Sequence, residues 1–350
     1  MQYPHLFQAG RIGRLQIRNR IVMPAMGTNF TGLDGVVSDR NVQYYAERAR
    51  GGAGLIITEG SYIDVTTRTR PRAIGSSADR FVPGLRRLAD AIHAEGAACC
   101  IQLVHAGKLA PFKVIGCAPI APSAIPHAAT GEVPRAMTRE DIKYIVGCYA
   151  AAAGRACDAG FDAVELHGAH GYLPHQFLSP LSDCRDDEYG GSFENRARFS
   201  LEIVRAVRDR VGRDFPVIFR LSAAEFAEGG FTADEVIQFA RWLEAEGVAA
   251  LHVSAGSNET PYGFAQAVQT MYFEPGSLAK YARMIREQVS IPVIAVGRIN
   301  QPELAEAILV RGDADFIATG RAFIADPHWP QKAIKGRAEE IRQCLACNAG

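Results

Sequence analysis

The chain has 350 residues, 48% of them hydrophobic, and its 38 Lys plus Arg balance its 38 Asp plus Glu. This length holds one large or two ordinary domains. A net charge of zero gives no field that would draw nucleic acid or an anionic membrane to the surface. We therefore expect a small-molecule substrate as partner, and neither nucleic acid nor membrane.

The cysteines and the amino terminus indicate the compartment. Eight cysteines are ordinary usage for this length, and Cys99 and Cys100 stand side by side in an apolar run, outside any disulfide framework. Residues 1–20 contain no apolar stretch long enough for a signal peptide or a membrane span. The sequence predicts a reducing, cytoplasmic location and leaves the number of subunits open, a homo-oligomer included.

Short apolar runs rich in β-branched residues recur along the chain, with amphipathic helical patterns between them. The strand candidates are residues 20–26, 54–59, 99–103, 163–167, 216–221, 249–254, 292–296 and 315–319. The helical patterns include residues 79–95, 139–159, 194–211, 233–246 and 301–310. Thr138, Thr232 and Ser277 each precede a helical pattern as a capping residue. Strands that alternate with helices indicate βαβ units, and eight of them predict an α/β fold, a (β/α)8 TIM barrel over residues 1–340.

An open, doubly wound sheet is the alternative fold. A doubly wound nucleotide binder would continue from its first strand into G-x-G-x-x-G. Here the glycine cluster of residues 51–54 precedes a strand, where it turns the chain from helix into strand. This placement favours the barrel.

Polar residues at the carboxyl ends of barrel strands face the substrate loops. Gly297-Arg298 and Gly320-Arg321 follow the last two strands, where barrels commonly hold a phosphate. Glycine lets backbone N–H groups approach the phosphate, and arginine supplies forked donors. The alternative is that the glycines only make turns and the arginines are solvated.

Arg220 lies inside the apolar run 216–221, so its guanidinium must leave the strand into a partly buried place. A buried arginine normally has an anionic partner. The N1–C2=O edge of an isoalloxazine would suit it, because a positive charge stabilises the reduced flavin. A structural ion pair with Glu59 or Glu165 is the competing interpretation.

His167 and His170 follow the fourth strand, with Tyr172 just beyond. Two imidazole donors can hold a carbonyl or nitro oxygen and stabilise negative charge that develops there. A tyrosine hydroxyl can deliver a proton to the neighbouring carbon. A metal site completed by His105 or Glu165, or plain packing of these side chains, are the alternatives.

These residues resemble the old yellow enzyme family of NADH:flavin oxidoreductases, and the resemblance runs through nearly the whole chain. Its most specific segments are residues 160–172 (GFDAVELHGAHGY), residues 176–180 (QFLSP) and residues 185–199. The resemblance implies a hydride transfer with His167 and His170 on the electron-withdrawing group of the substrate and Tyr172 as proton donor. It also implies FMN, with NADPH or NADH as reductant. The implied FMN-binding residues are Pro24, Ala25, Met26, Gly27, Gly60, Gln102, Arg220, Gly297, Arg298, Gly320 and Arg321.

Within this family the chain is most similar to the barrel domain of the enoate reductase and 2,4-dienoyl-CoA reductase branch. Residues 23–29, 252–256 and 292–300 carry that likeness, as does the pair Cys344 and Cys347. In that branch an iron–sulfur cluster and a pyridine-nucleotide module follow the barrel. A four-iron cluster needs four thiolates, and only two stand in position here. We therefore read residues 341–350 as the stump of a cluster loop, with two unrelated surface cysteines as the alternative.

The sequence departs from the family at Gly27, where many members place a Cys or Thr near the flavin C4 carbonyl. That contact is absent unless Thr28 replaces it. After the sixth strand no matching acid can be identified, and residues 254–262 are candidates for substrate selection.

The predicted activity is that of an FMN-dependent ene-reductase, which passes a hydride to the β-carbon of an activated C=C. An amine or alcohol dehydrogenase barrel that passes electrons to an iron–sulfur partner module is the alternative. A non-redox barrel that binds a phosphorylated metabolite is the remaining rival, and no predicted strand ends in the lysine that Schiff-base chemistry would need.

Overall fold

Eight apolar runs become parallel strands that close into a barrel in the computed structural model, which describes residues 2–348. In chain order the strands of these residues are β1 (Gly10–Ile12), β2 (Leu15–Ile17), β3 (Ile21–Met23), β4 (Leu55–Tyr62), β5 (Ala98–Val104), β6 (Ile120–Ala121), β7 (Arg135–Ala136), β8 (Ala163–Gly168), β9 (Val217–Ser222), β10 (Ala250–Ser254), β11 (Val293–Val296) and β12 (Phe316–Ala318). Barrel strands pair in the order β3, β4, β5, β8, β9, β10, β11, β12, and β12 returns to β3. The predicted (β/α)8 barrel is confirmed, and the doubly wound sheet is wrong.

Helices connect the strands, and the longer ones cover the outside of the barrel. They are α1 (Asp39–Arg50), α2 (Val82–Ala94), α3 (Phe112–Ile115), α4 (Arg139–Asp158), α5 (Leu173–Leu178), α6 (Phe193–Val211), α7 (Ala233–Ala245), α8 (Pro261–Ala267), α9 (Ala279–Arg286), α10 (Pro302–Val310), α11 (Arg321–Ala325) and α12 (Trp329–Ile334). Thr138 and Thr232 form capping boxes at α4 and α7, as predicted. Ser277 does not cap a helix, because α9 begins two residues later and the Ser277 hydroxyl accepts a hydrogen bond from Gln269 instead.

The alternation of side chains along each strand divides the apolar residues into two cores. Val22, Leu55, Cys100, Ile218 and Ala250 point inward and fill the amino-terminal half of the barrel. Their neighbours along the strands pack outward against the helices in a larger core. Two residues further along several strands, the inward position is polar. The same alternation that builds the lower core therefore places polar groups at the mouth.

The β1–β2 hairpin closes the amino-terminal end of the barrel. Ile12 and Ile17 pack into the interior core. A Cβ added to Gly10 would lie 2.5 Å from the Phe316 ring, so the hairpin backbone lies directly against the barrel floor. Access to the interior is therefore from the carboxyl ends of the strands.

The second barrel strand is longer than the sequence pattern predicted. The run 54–59 becomes β4, which continues to Tyr62 through an irregularity in register between Thr58 and Ser61. An irregularity of this kind redirects a side chain next to it. It lies directly beside Glu59 and Gly60 at the mouth of the barrel.

No helix within residues 2–348 is long and apolar enough to cross a membrane.

Replacing Phe199 by Ala should destabilise the fold by about 3–5 kcal/mol, the usual loss for a buried aromatic side chain. Phe199 is fully buried on α6 and stacks on Phe177 with ring centroids 4.2 Å apart. Urea unfolding measures the change. Phe112→Ala is the control, because Phe112 is 52% exposed and such a change usually stays within about 0.5 kcal/mol. Equal losses in the two variants would contradict this assignment of the core.

Candidate active site

A cavity at the carboxyl ends of the strands is lined by every residue that the sequence analysis predicted for the cofactor and the chemistry. These are Pro24, Ala25, Met26, Gly27, Gly60, Gln102, His167, His170, Tyr172, Arg220, Gly297, Arg298, Gly320 and Arg321. Parallel strands bring their carboxyl ends to the same end of a barrel. The register pairs His167 with Arg220, and Arg220 with His252, on adjacent strands.

Gly297-Arg298 and Gly320-Arg321 form one wall of the cavity, after β11 and β12. Arg298 has a left-handed backbone (φ 49°), and its buried Nε has no partner among residues 2–348. A Cβ on Gly320 would lie 2.8 Å from the Met26 sulfur. An arginine with an orphaned donor beside close-approach glycines fits an anion such as a phosphate.

The buried guanidinium of Arg220 does not form the ion pair that was its alternative interpretation. Its residue is 9% exposed, and its Nε has no partner within the described chain. Glu59 pairs with Arg70, and Glu165 hydrogen-bonds His252 at 2.6 Å. Burial lowers the pKa of Arg220, and the nearby Glu165 charge opposes that effect. A donor of this kind can serve a ligand in the cavity.

Glu165 fixes the orientation of Gln102 beneath the cavity. The Gln102 amide donates to Glu165 Oε1 at 2.7 Å, so its carbonyl Oε1 is left as an acceptor beside Gly60. A Cβ on Gly60 would lie 3.2 Å from this oxygen. Burial would raise the pKa of Glu165, but His252, Arg220 and Gln102 together lower it. The carboxylate therefore stays ionised and holds the amide in one orientation.

His167 is a buried, neutral donor. Burial lowers its pKa well below the ordinary value, and the Arg220 charge lowers it further. Its Nδ1 accepts a hydrogen bond from the backbone N–H of Ala169 at 3.4 Å. This leaves Nε2 as the protonated nitrogen of the neutral ring.

His170 is positioned by residues at the ends of β9 and β10 and by one residue in the loop after β10. Its backbone is left-handed (φ 59°), and its N–H donates to Ser222 at 3.0 Å. Its ring Nε2 lies 2.7 Å from the Ser254 hydroxyl, and Asn258 donates to its carbonyl at 2.5 Å. Burial, followed by the Arg220 charge, lowers the pKa of His170 well below its usual range.

Tyr172 completes this side of the cavity. Its ring centroid lies 4.4 Å from that of His167, and His167 and His170 rings are 5.4 Å apart. Burial raises the pKa of the Tyr172 hydroxyl, while the charges of Arg70 and Arg220 oppose the rise. The hydroxyl therefore keeps its proton at neutral pH and can donate it.

The structure does not complete a metal site on the two histidines. Within residues 2–348, ligand atoms of three or more His, Cys, Asp or Glu side chains converge only at His93, Cys99 and Asp162. His105 hydrogen-bonds locally, to the backbone of Gly107, and Glu165 is held by His252. Both residues proposed as third ligands are thus used elsewhere.

Several cavity residues had no signal in the sequence patterns. They are Thr69, Arg70, Val104, Phe264, Gln266 and Gln269. Asn258 lies in the segment after the sixth strand that was a candidate for substrate selection. The acid of that segment, Glu259, pairs with the buried Lys108. Arg70 comes from a loop that only the tertiary fold brings to the mouth.

Cys344 and Cys347 lie beside the cavity wall. The Asn300 amide donates to the Cys344 carbonyl at 3.4 Å, and Asn348 accepts from Arg321 at 2.5 Å. Burial lowers the pKa of Arg321, and the two nearby cysteines oppose that effect. Residues 349 and 350 of the predicted cluster loop lie outside the described residues.

A family model described as NADH:flavin oxidoreductase / NADH oxidase matches residues 5–340. Among curated proteins, an NADH oxidase of Thermoanaerobacter brockii is 48% identical over 99% of this chain and 53% of its own length. An NADPH dehydrogenase of Listeria innocua is 38% identical over 96% of both chains. The chain thus spans about half the length of the first of these relatives.

Solved structures of three proteins superpose closely. A 2-naphthoyl-CoA reductase in complex with 2-naphthoyl-CoA has a TM-score of 0.95, with 33% identity over 99% of this chain and 55% of its own. A histamine dehydrogenase from Rhizobium sp. 4-9 has a TM-score of 0.89, with 32% identity over 99% and 50%. An old yellow enzyme homologue from Zymomonas mobilis has a TM-score of 0.83, with 31% identity over 95% and 93%.

The imidazoles of His167 and His170 should remain neutral at pH 5.5, because burial and Arg220 lower both pKa values. Nitrogen-15 NMR of histidine-labelled protein should show two neutral rings that do not titrate near the ordinary pKa of about 6.5. His167→Asn and His170→Asn assign the signals. Protonation of either ring with a midpoint near the ordinary value would show that the site is more hydrated than this geometry.

Proposed function

This chain belongs to the NADH:flavin oxidoreductase / NADH oxidase family, with FMN as cofactor, and on that premise we propose that it is an ene-reductase. In this proposal electrons from NADPH or NADH reduce an activated C=C bond of an enone, enoate, enoyl thioester or nitroalkene. The observation that carries the proposal is the convergence of His167, His170 and Tyr172 on the cavity lined by Arg220 and the two Gly-Arg pairs. The family likeness predicted from sequence is confirmed.

The residues of the cavity fit FMN. Arg298, Arg321 and the neighbouring glycines would hold the phosphate. Gln102 offers a fixed acceptor, and Arg220 offers an unpartnered donor, which suits the polar edge of the flavin ring. When bound, FMN takes a hydride from the nicotinamide and gives it to the substrate.

The two histidines bind the electron-withdrawing group of the substrate. As neutral rings they donate hydrogen bonds to its oxygen and stabilise the negative charge that grows there as hydride reaches the β-carbon. They do so without surrendering a proton, since their pKa values are lowered. The acid is therefore a different group.

Tyr172 supplies the proton to the α-carbon. Its raised pKa keeps the hydroxyl protonated until negative charge develops on the substrate, and its ring contacts His167. Proton transfer leaves a phenolate that takes a proton back from solvent. The charges of Arg70 and Arg220 stabilise that phenolate.

An acyl thioester is the substrate class that we favour among these acceptors. The support is the similarity to a reductase solved with 2-naphthoyl-CoA. A second candidate function is the dehydrogenation of an amine, supported by the similarity to histamine dehydrogenase and by the cysteine pair beside Arg321. In that case electrons would leave through an iron–sulfur partner.

Purified protein loaded with FMN should lose its visible flavin absorbance when NADPH or NADH is added without oxygen, and an enone or enoyl thioester should restore it. The measurement is the absorbance spectrum after each addition. Bleaching by an amine, with no recovery on addition of any unsaturated acceptor, would replace the ene-reductase proposal by the dehydrogenase. Protein that refuses FMN would reject both.

Replacing Tyr172 by Phe should slow reoxidation by the unsaturated substrate by roughly 10²–10⁴, the usual contribution of a positioned acid. Reduction by the nicotinamide should change little, because it needs no proton from Tyr172. Stopped-flow absorbance separates the two half-reactions. Tyr144→Phe is the control, because Tyr144 is exposed and bonds Asp64 outside the cavity. An unchanged rate of reoxidation in Tyr172→Phe would assign the proton to solvent.

A further inference from the structure

Arg70 brings a second guanidinium to the cavity, from the loop that follows β4. Its side chain is 23% exposed and pairs with Glu59, which is fully buried. Arg70 and its neighbour Thr69 both line the cavity. The charge of Arg70 also opposes the rise in the pKa of Tyr172.

Glu59 holds this guanidinium in place. Its carboxylate also accepts hydrogen bonds from the Thr28 hydroxyl at 2.5 Å, from the Thr28 backbone N–H at 3.1 Å and from Asn41 at 3.2 Å. Three further donors therefore share the negative charge of Glu59, two of them on Oε1 and one on the Oε2 that pairs with Arg70. The ion pair is asymmetric, and its positive end is the one that lines the cavity.

The Arg70 guanidinium keeps donors that the protein does not satisfy. Its buried Nε has no partner within residues 2–348. Its Nη1 contacts the Thr69 hydroxyl only at 3.4 Å. Buried donors without partners are costly in free energy, so a ligand that accepts hydrogen bonds would be stabilised here.

The Arg70 guanidinium occupies the space beside the Gly27 backbone. A Cβ added to Gly27 would lie 2.5 Å from both Cζ and Nη1 of Arg70. The guanidinium therefore fills the space into which a side chain at position 27 would project. Thr28 does not replace that side chain, because its hydroxyl is committed to Glu59.

We propose that Arg70, in the space left by Gly27, supplies a fixed positive charge that raises the reduction potential of the bound FMN. This inference rests on the proposed function, because it requires FMN in this cavity. Reduction adds negative charge to the flavin, and a nearby cation stabilises the reduced form more than the oxidised form. Arg220 and Arg70 would then act on the same ring, one from β9 and the other from the loop that follows β4.

The test is the midpoint potential of FMN in the Arg70→Met and Arg70→Lys holoenzymes, measured anaerobically against a reference dye. Loss of the charge should lower the equilibrium ratio of reduced to oxidised FMN about tenfold. This corresponds to a midpoint potential that is lower by about 30 mV for a two-electron couple. Lys should retain most of the effect. Arg72→Met is the matched control, since Arg72 is exposed, bonds the Thr31 carbonyl and does not line the cavity.

Two further variants separate Arg70 from its partner and from folding effects. Glu59→Gln with Arg70→Met removes both charges, and its potential should still lie below that of the parent protein. Gly27→Ala should lower the melting temperature of cofactor-free protein, because the added Cβ displaces the Arg70 guanidinium from the buried Glu59, whereas Gly27→Ala added to Arg70→Ala should cause no further loss. This second readout needs no flavin.

The outcomes are distinct. An unchanged potential in Arg70→Met overturns the inference. This holds even if the KM for an acidic substrate rises, because that result would assign Arg70 to substrate binding. A Gly27→Ala protein as stable as the parent overturns the shared position of the two residues. Failure of the parent protein to bind FMN rejects the proposed function itself, and the melting temperatures still report on the Gly27–Arg70 contact.

Discussion

The buried charge of Arg220 organises the mouth of the barrel. Strand register places it between His167 and His252, and Glu165 lies near enough to oppose the cost of its burial. Glu165 in turn is held by His252 and orients Gln102. Burial, and after it the charge of the same cation, lower the pKa of His167 and of His170, which keeps both rings neutral. One guanidinium therefore provides a donor for a ligand and adds to the effect of burial on the neighbouring donors.

Glycines shape the rest of the cavity, because they have no side chain. Gly320 leaves room against Met26, and Gly60 leaves room against Gln102. Gly27 leaves the space that Arg70 fills. At such positions glycine leaves room for a group that lies too close to tolerate a Cβ. The reason is space, and not the conformational freedom of the glycine backbone. The cavity is therefore bounded partly by backbone and partly by charged side chains, of which Arg70 is held by the buried Glu59.

The strand ends were predictable because the physics is local. Parallel strands bring their carboxyl ends together, and side chains alternate with a period of two, so a polar residue two positions beyond an apolar inward one must face the mouth. Gln102 and Arg220 follow from that rule, and His167 lies at the end of β8 with His170 and Tyr172 in the turn directly after it. Ser277 failed as a cap because cap geometry depends on where the helix starts, which packing decides. Arg70 was missed because nothing in its own sequence neighbourhood marks it.

The sequence by itself determined the number and order of the barrel strands, the residues at their ends, and the family, because these depend on periodicity and on short specific segments. Tertiary structure decided which groups pair. Glu59 was a possible partner of Arg220 but pairs with Arg70. It lies at an irregularity in β4 that the sequence pattern did not predict. Ion pairs form between residues distant in the chain, and their choice depends on distances of a few ångströms. Only the closed barrel sets those distances.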